Sequence, residues 1–115
     1  RQPEFEHSKY TFEVADTELM SRWFNDYEQE AGRALAEKLV FPAYDYVLKC
    51  SHTFNQLDAA GAISVSARAS YIGRVRTLAQ KIAKLFLKER CKLAFPLMKD
   101  RKAAQKWVEE LTPEN

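Results

Sequence analysis

Basic residues dominate the one part of the chain whose residue types and spacing suggest a chemical role. Eleven Lys and Arg residues fall between positions 68 and 102 against two acidic residues, which gives this block a net charge of +9. The same count gives −5 for residues 1–67 and −2 for residues 103–115. Such a block suits a phosphate backbone or an acidic protein surface, and a solvated helix face without a partner is the alternative.

The basic block lies on a stretch whose pattern predicts one long helix over residues 64–92. The stretch lacks proline, and its apolar residues recur at three- and four-residue steps, as expected of a helix with one face in a core. Arg68 falls on the apolar side, where an unpaired guanidinium is costly, so we expect it to pair with Asp58 in the preceding turn. The candidates for outward binding of a phosphate backbone or an acidic protein partner are Arg74, Arg76, Lys81, Lys84 and Lys88.

Other residues that could carry chemistry give no catalytic or metal site. Cys50 and Cys91 each lack a second Cys or a His at ligand spacing, so we interpret them as reduced core thiols. His52 lies beside the apolar stripe of its predicted helix, and we interpret it as a structural polar residue, like Arg68 and Asp58. No glycine-rich phosphate loop, HExxH, CxxC or nucleophile elbow is present. We therefore assign no catalytic residue and no metal ligand.

Three long helices are predicted to position these side chains. Asp16 is expected to cap the first, which runs to about residue 38, and Pro42 suits the first turn of the second, which runs to about residue 56. Gly61 is expected to close the following turn, and Ser64 to cap the long helix. A short fourth helix is predicted between Pro96 and Pro113 from the helical spacing of the apolar residues Ala103, Ala104, Trp107, Val108 and Leu111.

The expected architecture is all-α: an up-and-down bundle of three long helices plus a short C-terminal helix, preceded by an extended N-terminal arm. The arm is predicted over residues 1–15, because Tyr10, Phe12 and Val14 alternate with polar neighbours as in a strand. No second strand is visible, so this segment either packs as an extended arm or pairs with a sheet that this sequence lacks. The bundle domain is predicted over residues 16–115.

Composition indicates a soluble globular domain. Hydrophobic residues make up 46% and charged residues 30% of the chain. No apolar run approaches the roughly 18 residues of a membrane span, and the N-terminal residues lack the apolar centre of a signal peptide. We expect a cytoplasmic protein without membrane association.

Three sequence signatures carry a resemblance to a known family. They are PAYD at 42–45, SHTFNQLDAAGAIS at 51–64 and YIGRVRTLA at 71–79. From about residue 4 to residue 97 the chain resembles the C-terminal part of the bacterial glycyl-tRNA synthetase α subunit. The resemblance implies a heterotetrameric class II enzyme, in which the α subunit forms the adenylate from glycine and ATP and a larger β subunit does most of the tRNA handling.

The same resemblance implies that the arm over residues 1–15 is the end of a catalytic domain that this sequence lacks. The class II motifs, the ATP site and the glycine pocket would then lie upstream of Arg1. We therefore expect this chain to be inactive alone and to bind no cofactor, while the full enzyme uses ATP and Mg²⁺. The implied partners are tRNA(Gly), the β subunit and a second α subunit in a homodimer.

A looser similarity links residues 52–76 to the helical region that follows the catalytic domain of alanyl-tRNA synthetases. That region helps to bind the tRNA acceptor stem, and its pattern of a histidine, an aspartate turn and a basic helix is matched by His52, Asp58, Tyr71, Arg74 and Arg76. By analogy, Arg74 and Arg76 would contact phosphates near the 3′ end of the tRNA.

Three positions depart from the family pattern, in which related chains commonly read ISVTERQRYILRVR. Here Ala67 replaces Glu, Ser70 replaces Arg and Gly73 replaces Leu. Three hypotheses stay open. The first is a helical domain that holds the acceptor arm and docks the β subunit. The second is a protein-interaction module without RNA contact, and the third is a scaffold that braces the catalytic domain.

Overall fold

The structure, a computed structural model, describes residues 2–94 of the 115. Helix α1 spans Gln2–Lys9 and continues as a π-helical segment over Tyr10–Val14, and the three long helices are α2, Thr17–Ala36, α3, Val40–Ala59, and α4, Val65–Ala94. No strand occurs within residues 2–94. The predicted all-α bundle of three long helices is confirmed, whereas the predicted short C-terminal helix lies outside the described residues.

The extended N-terminal arm predicted over residues 1–15 is wrong, because the chain is helical from Gln2 to Val14. An extended segment without a second strand leaves its backbone groups unpaired, whereas a helix pairs them within itself. The Gln2 side chain also donates a 2.9 Å hydrogen bond to Glu6 one turn later. No residue of this segment is buried, so its alternating pattern reflects no packed sheet face.

Two of the long helices begin at the side-chain caps expected from the sequence. The backbone N–H of Leu19 donates to Asp16 Oδ1 at 3.0 Å, and that of Ala67 donates to Ser64 Oγ at 3.2 Å. Each oxygen satisfies an N–H group that has no partner inside its helix. Helix α3 has no such cap, but Pro42 lies in its first turn, where a missing N–H removes no helical hydrogen bond.

Helix α2 ends in a left-handed turn at Lys38, whose φ is +61°. The N–H of Lys38 donates to the carbonyl of Leu35 at 3.0 Å, and the N–H of Leu39 donates to that of Ala34 at 2.9 Å. This pair of bonds is the Schellman motif, which satisfies the last carbonyls of a helix.

Helix α3 ends in the same motif with Gly61 in the left-handed position, at φ +74°. The N–H of Gly61 donates to Asp58 at 3.1 Å, and the N–H of Ala62 donates to Leu57 at 3.2 Å. Gly61 thus closes the turn as predicted, and it does so without the steric cost that a Cβ brings in this conformation.

The core lies where the three long helices meet. Short connections over residues 37–39 and 60–64 make the helices run up and down. The buried cluster draws on all three of them and consists of Phe24, Ala31, Ala43, Val47, Cys50, Leu78 and Ile82. This core fixes which faces of α4 are turned towards α2 and α3 and which face solvent.

Candidate nucleic-acid interface

Of the predicted binding residues, Arg74 makes the most extensive side-chain contacts. Its Nη2 donates to Glu28 Oε1 and, at 2.7 Å, to Asn25 Oδ1, while its Nε donates to Glu28 Oε2 at 3.0 Å. The guanidinium also lies 4.7 Å from the ring centroid of Phe24 and 5.4 Å from that of Tyr71. Arg74 therefore joins α4 to α2 by a two-point ion pair and by stacking on aromatic rings.

This arrangement turns Arg74 inward, although the sequence placed it among the outward residues. The side chains of Arg74 and Glu28 are only 33% and 30% exposed. The hydrogen bond with Glu28 raises the pKa of Arg74, against the opposing effect of burial. A phosphate would have to compete with Glu28 for the guanidinium, so the contact of Arg74 with tRNA stays a prediction.

Arg76 lies on a different face of α4. Two residues turn a helix by about 200°, so Arg74 and Arg76 point to nearly opposite sides. Arg76 is exposed, and its side chain has no hydrogen bond or ion pair with any residue in the described part of the chain. The two arginines therefore do not form one compact contact surface.

Three of the predicted binding residues do share one face. Lys81, Lys84 and Lys88 follow at steps of three and four residues, which keeps them within about 60° around the axis of α4. Lys81 and Lys88 are exposed and Lys84 is partly exposed. We call these three side chains the lysine face.

A hollow of about 510 Å³ lies between α2 and α4 beside the lysine face. Its lining includes Lys81, Glu28 and the small residues Gly32 and Gly73. A Cβ built on either glycine would meet no atom within 4 Å, so neither position is required for close helix packing. The hollow leaves Lys81 accessible from the α2 side.

Arg68 pairs with Asp58, as the sequence predicted. Its Nε and Nη2 lie 2.9 Å and 2.8 Å from Asp58 Oδ1. The predicted inward position is wrong, however, because the Arg68 side chain is 44% exposed. Arg68 lies in the first turn of α4, at the end of the bundle, where water reaches the apolar side of the helix. The pair links the last turn of α3 to the first turn of α4.

His52 is exposed on α3 and borders an open hollow of about 650 Å³, together with Trp23 and Tyr27 of α2. Its side chain makes no hydrogen bond or ion pair with another residue among those described. Its predicted structural role stays a prediction. Within residues 2–94, no group of three or more His, Cys, Asp or Glu side chains is arranged to hold a metal ion.

Sequence reasoning missed Glu28 and Asn25 as the partners of Arg74. A signal was present, because Glu28 follows Phe24 by four residues and so lies on the core side of α2. A carboxylate next to an apolar face needs a cationic partner, for the same reason that the guanidinium of Arg68 was expected to pair with a carboxylate.

The chain matches a known protein family over most of its length. The model of the family described as glycyl-tRNA synthetase alpha subunit matches residues 1–91. The match includes α1, α2, α3, the ion pair of Arg74 and the whole lysine face. The family provides a subunit of an aminoacyl-tRNA synthetase, the enzyme that attaches glycine to tRNA. None of the described helices is long and apolar enough to cross a membrane. The chain belongs to the glycyl-tRNA synthetase α subunit family.

Proposed function

We propose that the lysine face binds phosphates of the tRNA(Gly) acceptor arm during glycylation. The observation that carries this proposal is the position of Lys81, Lys84 and Lys88 on one accessible face of α4, in a family whose enzyme acts on tRNA. Lysine ammonium groups bind phosphates as point charges and position a nucleic acid without reading its sequence.

The dimensions of α4 support a contact with more than one phosphate. Lys81 and Lys88 are about 10 Å apart along the helix axis, at 1.5 Å per residue. Eight basic residues against one acidic residue give α4 a net charge of +7. A field of this kind attracts a polyanion over a distance of about 8 Å at physiological salt.

Arg74 has a positioning role in this proposal. It ties α4 to Glu28 of α2, and its stacking on Phe24 of α2 fixes the rotation of α4 against the core. The lysine face is thereby held on a rigid element rather than on a loop. Glycine activation with ATP and Mg²⁺ is assigned to other parts of the synthetase, which includes the β subunit and a second α subunit.

The proposal is tested by removing the lysine face in the α subunit and measuring the affinity of the assembled synthetase for tRNA(Gly). The triple change of Lys81, Lys84 and Lys88 to Ala should weaken binding about tenfold or more and lower the slope of log K against log salt by about 3. The matched control removes three exposed basic residues from α2 and α3: Arg22, Arg33 and Lys49.

The control variant should bind tRNA(Gly) nearly as the wild type does, because its lost charges lie on other faces. An equal loss of tRNA(Gly) affinity in both variants would show that the effect comes from net charge alone, and it would contradict the proposal. Loss of assembly with the β subunit, at unchanged tRNA affinity of the enzyme that still assembles, would contradict it as well. That result would make the lysine face a protein-docking surface.

A further inference from the structure

A second surface of the bundle is apolar and lies between α3 and α4. Phe41 and Tyr44 of α3 form one wall, and Ala79, Ala83 and Phe86 of α4 form the other. The groove has a volume of about 360 Å³, and no charged side chain lines it. We call it the apolar groove.

The apolar groove exposes large side chains to solvent. Phe41 is 74% exposed, Tyr44 is 50% exposed and Phe86 is 40% exposed. Its floor is formed by Val47 and Ile82, which belong to the buried core, so the packed helices keep the groove open. Exposed aromatic residues in a continuous apolar depression mark an interaction site.

Two arginines extend the α4 wall of the groove beyond its two ends. Arg76 comes three residues before Ala79 and Arg90 comes four residues after Phe86, so both lie on the stripe of α4 that forms the wall. The Arg90 guanidinium lies 5.7 Å from the ring centroid of Phe86. Neither arginine forms an ion pair with a carboxylate among residues 2–94. The site is therefore apolar in its centre and cationic at both ends.

We propose that the apolar groove binds an amphipathic helix of another polypeptide, which carries carboxylates near both of its ends. Helices bind in apolar grooves through side chains that recur at three- and four-residue steps. Arg76 and Arg90 are about 21 Å apart along the axis of α4, a distance that about 14 helical residues cover. The carboxylates of the bound helix pair with the two arginines and set its position along the groove.

Charge distinguishes this occupant from a second copy of the chain. The only acidic residue of α4, Glu89, accepts a 3.1 Å hydrogen bond from Lys92, so the arginines at the ends of the groove keep their positive field. A symmetric contact between two copies would bring the arginines of one groove towards those of the other, and like charges repel.

The apolar centre of the groove distinguishes the same occupant from a nucleic acid. A polyanion could reach Arg76 and Arg90, but its phosphates would also lie over Phe41 and Ala83, where they lose hydration without gaining a cation. An amphipathic helix matches both parts of the site. The inference does not depend on tRNA binding, because neither arginine belongs to the lysine face.

Binding of synthetic peptides to the full chain tests the proposal. The probe is a fluorescent helical peptide of about 16 residues, with leucines on one face and glutamates at both ends, and the comparison peptide has lysines in place of the glutamates. By fluorescence anisotropy, we expect the wild-type chain to bind the glutamate peptide about tenfold more tightly than the lysine peptide. Phe41→Ser, at an exposed position, should weaken the binding of both peptides.

Charge reversal tests whether the peptides bind at this site. In the double variant Arg76→Glu and Arg90→Glu, the preference should invert, so that the lysine peptide binds more tightly than the glutamate peptide. The matched control reverses two exposed cations on the other helices, Arg22→Glu and Lys49→Glu, and should keep the wild-type preference. Circular dichroism checks that each variant keeps its helices.

Several outcomes would overturn the proposal. Equal affinity for the two peptides would mean that the ends of the groove select no charge, and failure to bind either peptide would exclude this occupant. A preference that survives reversal of Arg76 and Arg90, or an affinity that Phe41→Ser leaves unchanged, would place binding elsewhere. A dimer in analytical ultracentrifugation that Phe41→Ser dissociates would make a second copy the occupant.

Discussion

Arg74 combines two roles that a sequence pattern treats as separate, because it is a cation and also part of the packing between helices. Its guanidinium covers Phe24 and Tyr71 on one side and binds Glu28 and Asn25 with its nitrogens. The cost of removing it from water is offset by an ionic partner and by aromatic contact. Charge alone is therefore a poor guide to which arginine on α4 faces a ligand.

The first prediction concerns the stability that Arg74 provides. Arg74→Ala should lower the free energy of unfolding by about 1–3 kcal/mol, because charge-assisted hydrogen bonds and aromatic contact are both lost. Arg74→Lys should recover only part of this loss, since an ammonium group cannot form the two-point pair with Glu28. Urea unfolding measures both variants, and Arg76→Ala is the control, expected within about 0.5 kcal/mol of wild type. Equal stability of Arg74→Ala and Arg76→Ala would contradict the assigned contacts.

The second prediction concerns the two thiols. Cys50 is fully buried, its Sγ donates to the carbonyl of Phe24 at 3.8 Å, and burial together with the charge of Glu28 raises its pKa to about 11. Cys91 is partly exposed. At pH 8 a thiol reagent should modify Cys91 quickly and Cys50 only as the protein unfolds. Peptide mass spectrometry over time distinguishes the two, and rapid modification of Cys50 would show that the core opens.

The raised pKa of Cys50 also predicts a pH dependence. The unfolded thiol ionises near its usual pKa of 9.0, whereas the folded thiol keeps its proton until about pH 11. The contribution of Cys50 to stability is therefore complete below pH 9 and is lost as the pH rises towards 11. The free-energy difference between wild type and Cys50→Ala should shrink across this range in urea titrations, and a constant difference would refute the assignment.

At the scale of elements, the ends of the helices contain a natural comparison. Helices α2 and α3 end in the same pair of backbone hydrogen bonds, but the left-handed position is occupied by Lys38 in one and by Gly61 in the other. A residue with a Cβ is strained there, and glycine is not. The end of α2 therefore carries a strain that the end of α3 avoids.

The fourth prediction follows from this comparison. Lys38→Gly should raise the free energy of unfolding by about 1 kcal/mol, and Gly61→Ala should lower it by about the same amount. The midpoints of urea unfolding report both, and the conversion of exposed Lys9 to Ala in α1 serves as a neutral control. A destabilised Lys38→Gly variant would show that the Lys38 side chain stabilises more than its backbone conformation costs.

Local pattern predicted the elements well because helix starts and stops depend on nearby atoms. Asp16, Ser64 and Gly61 have the roles expected of their residue types. The prediction for the N-terminal segment failed because an alternation over five residues does not establish a strand when no partner strand is present. Arg68 was misplaced because a helical wheel gives direction around the axis but not distance from the end of the bundle. The inward position of the Arg74 side chain depends on Glu28, which is 46 residues away in the sequence and therefore lies outside any local pattern.

At the scale of the whole molecule, α4 serves three surfaces at once. One side packs with α2 and α3 in the core, and one side bears the lysine face. A third side forms the apolar groove together with Phe41 and Tyr44 of α3. The angular separation of these surfaces allows a 30-residue helix to carry the fold and to present a positive surface with little interference between the two. A change confined to the lysine face should therefore leave the thermal unfolding of the domain nearly unchanged.

The most direct test of the account is the protection of individual lysines by bound tRNA. Lysine acetylation of the assembled synthetase, with and without saturating tRNA(Gly), is quantified by peptide mass spectrometry. The account predicts slower acetylation of Lys81, Lys84 and Lys88 in the complex, at an unchanged rate for Lys9 and Lys49. Unchanged reactivity of the lysine face on tRNA binding would contradict it, and so would protection that the β subunit confers without tRNA.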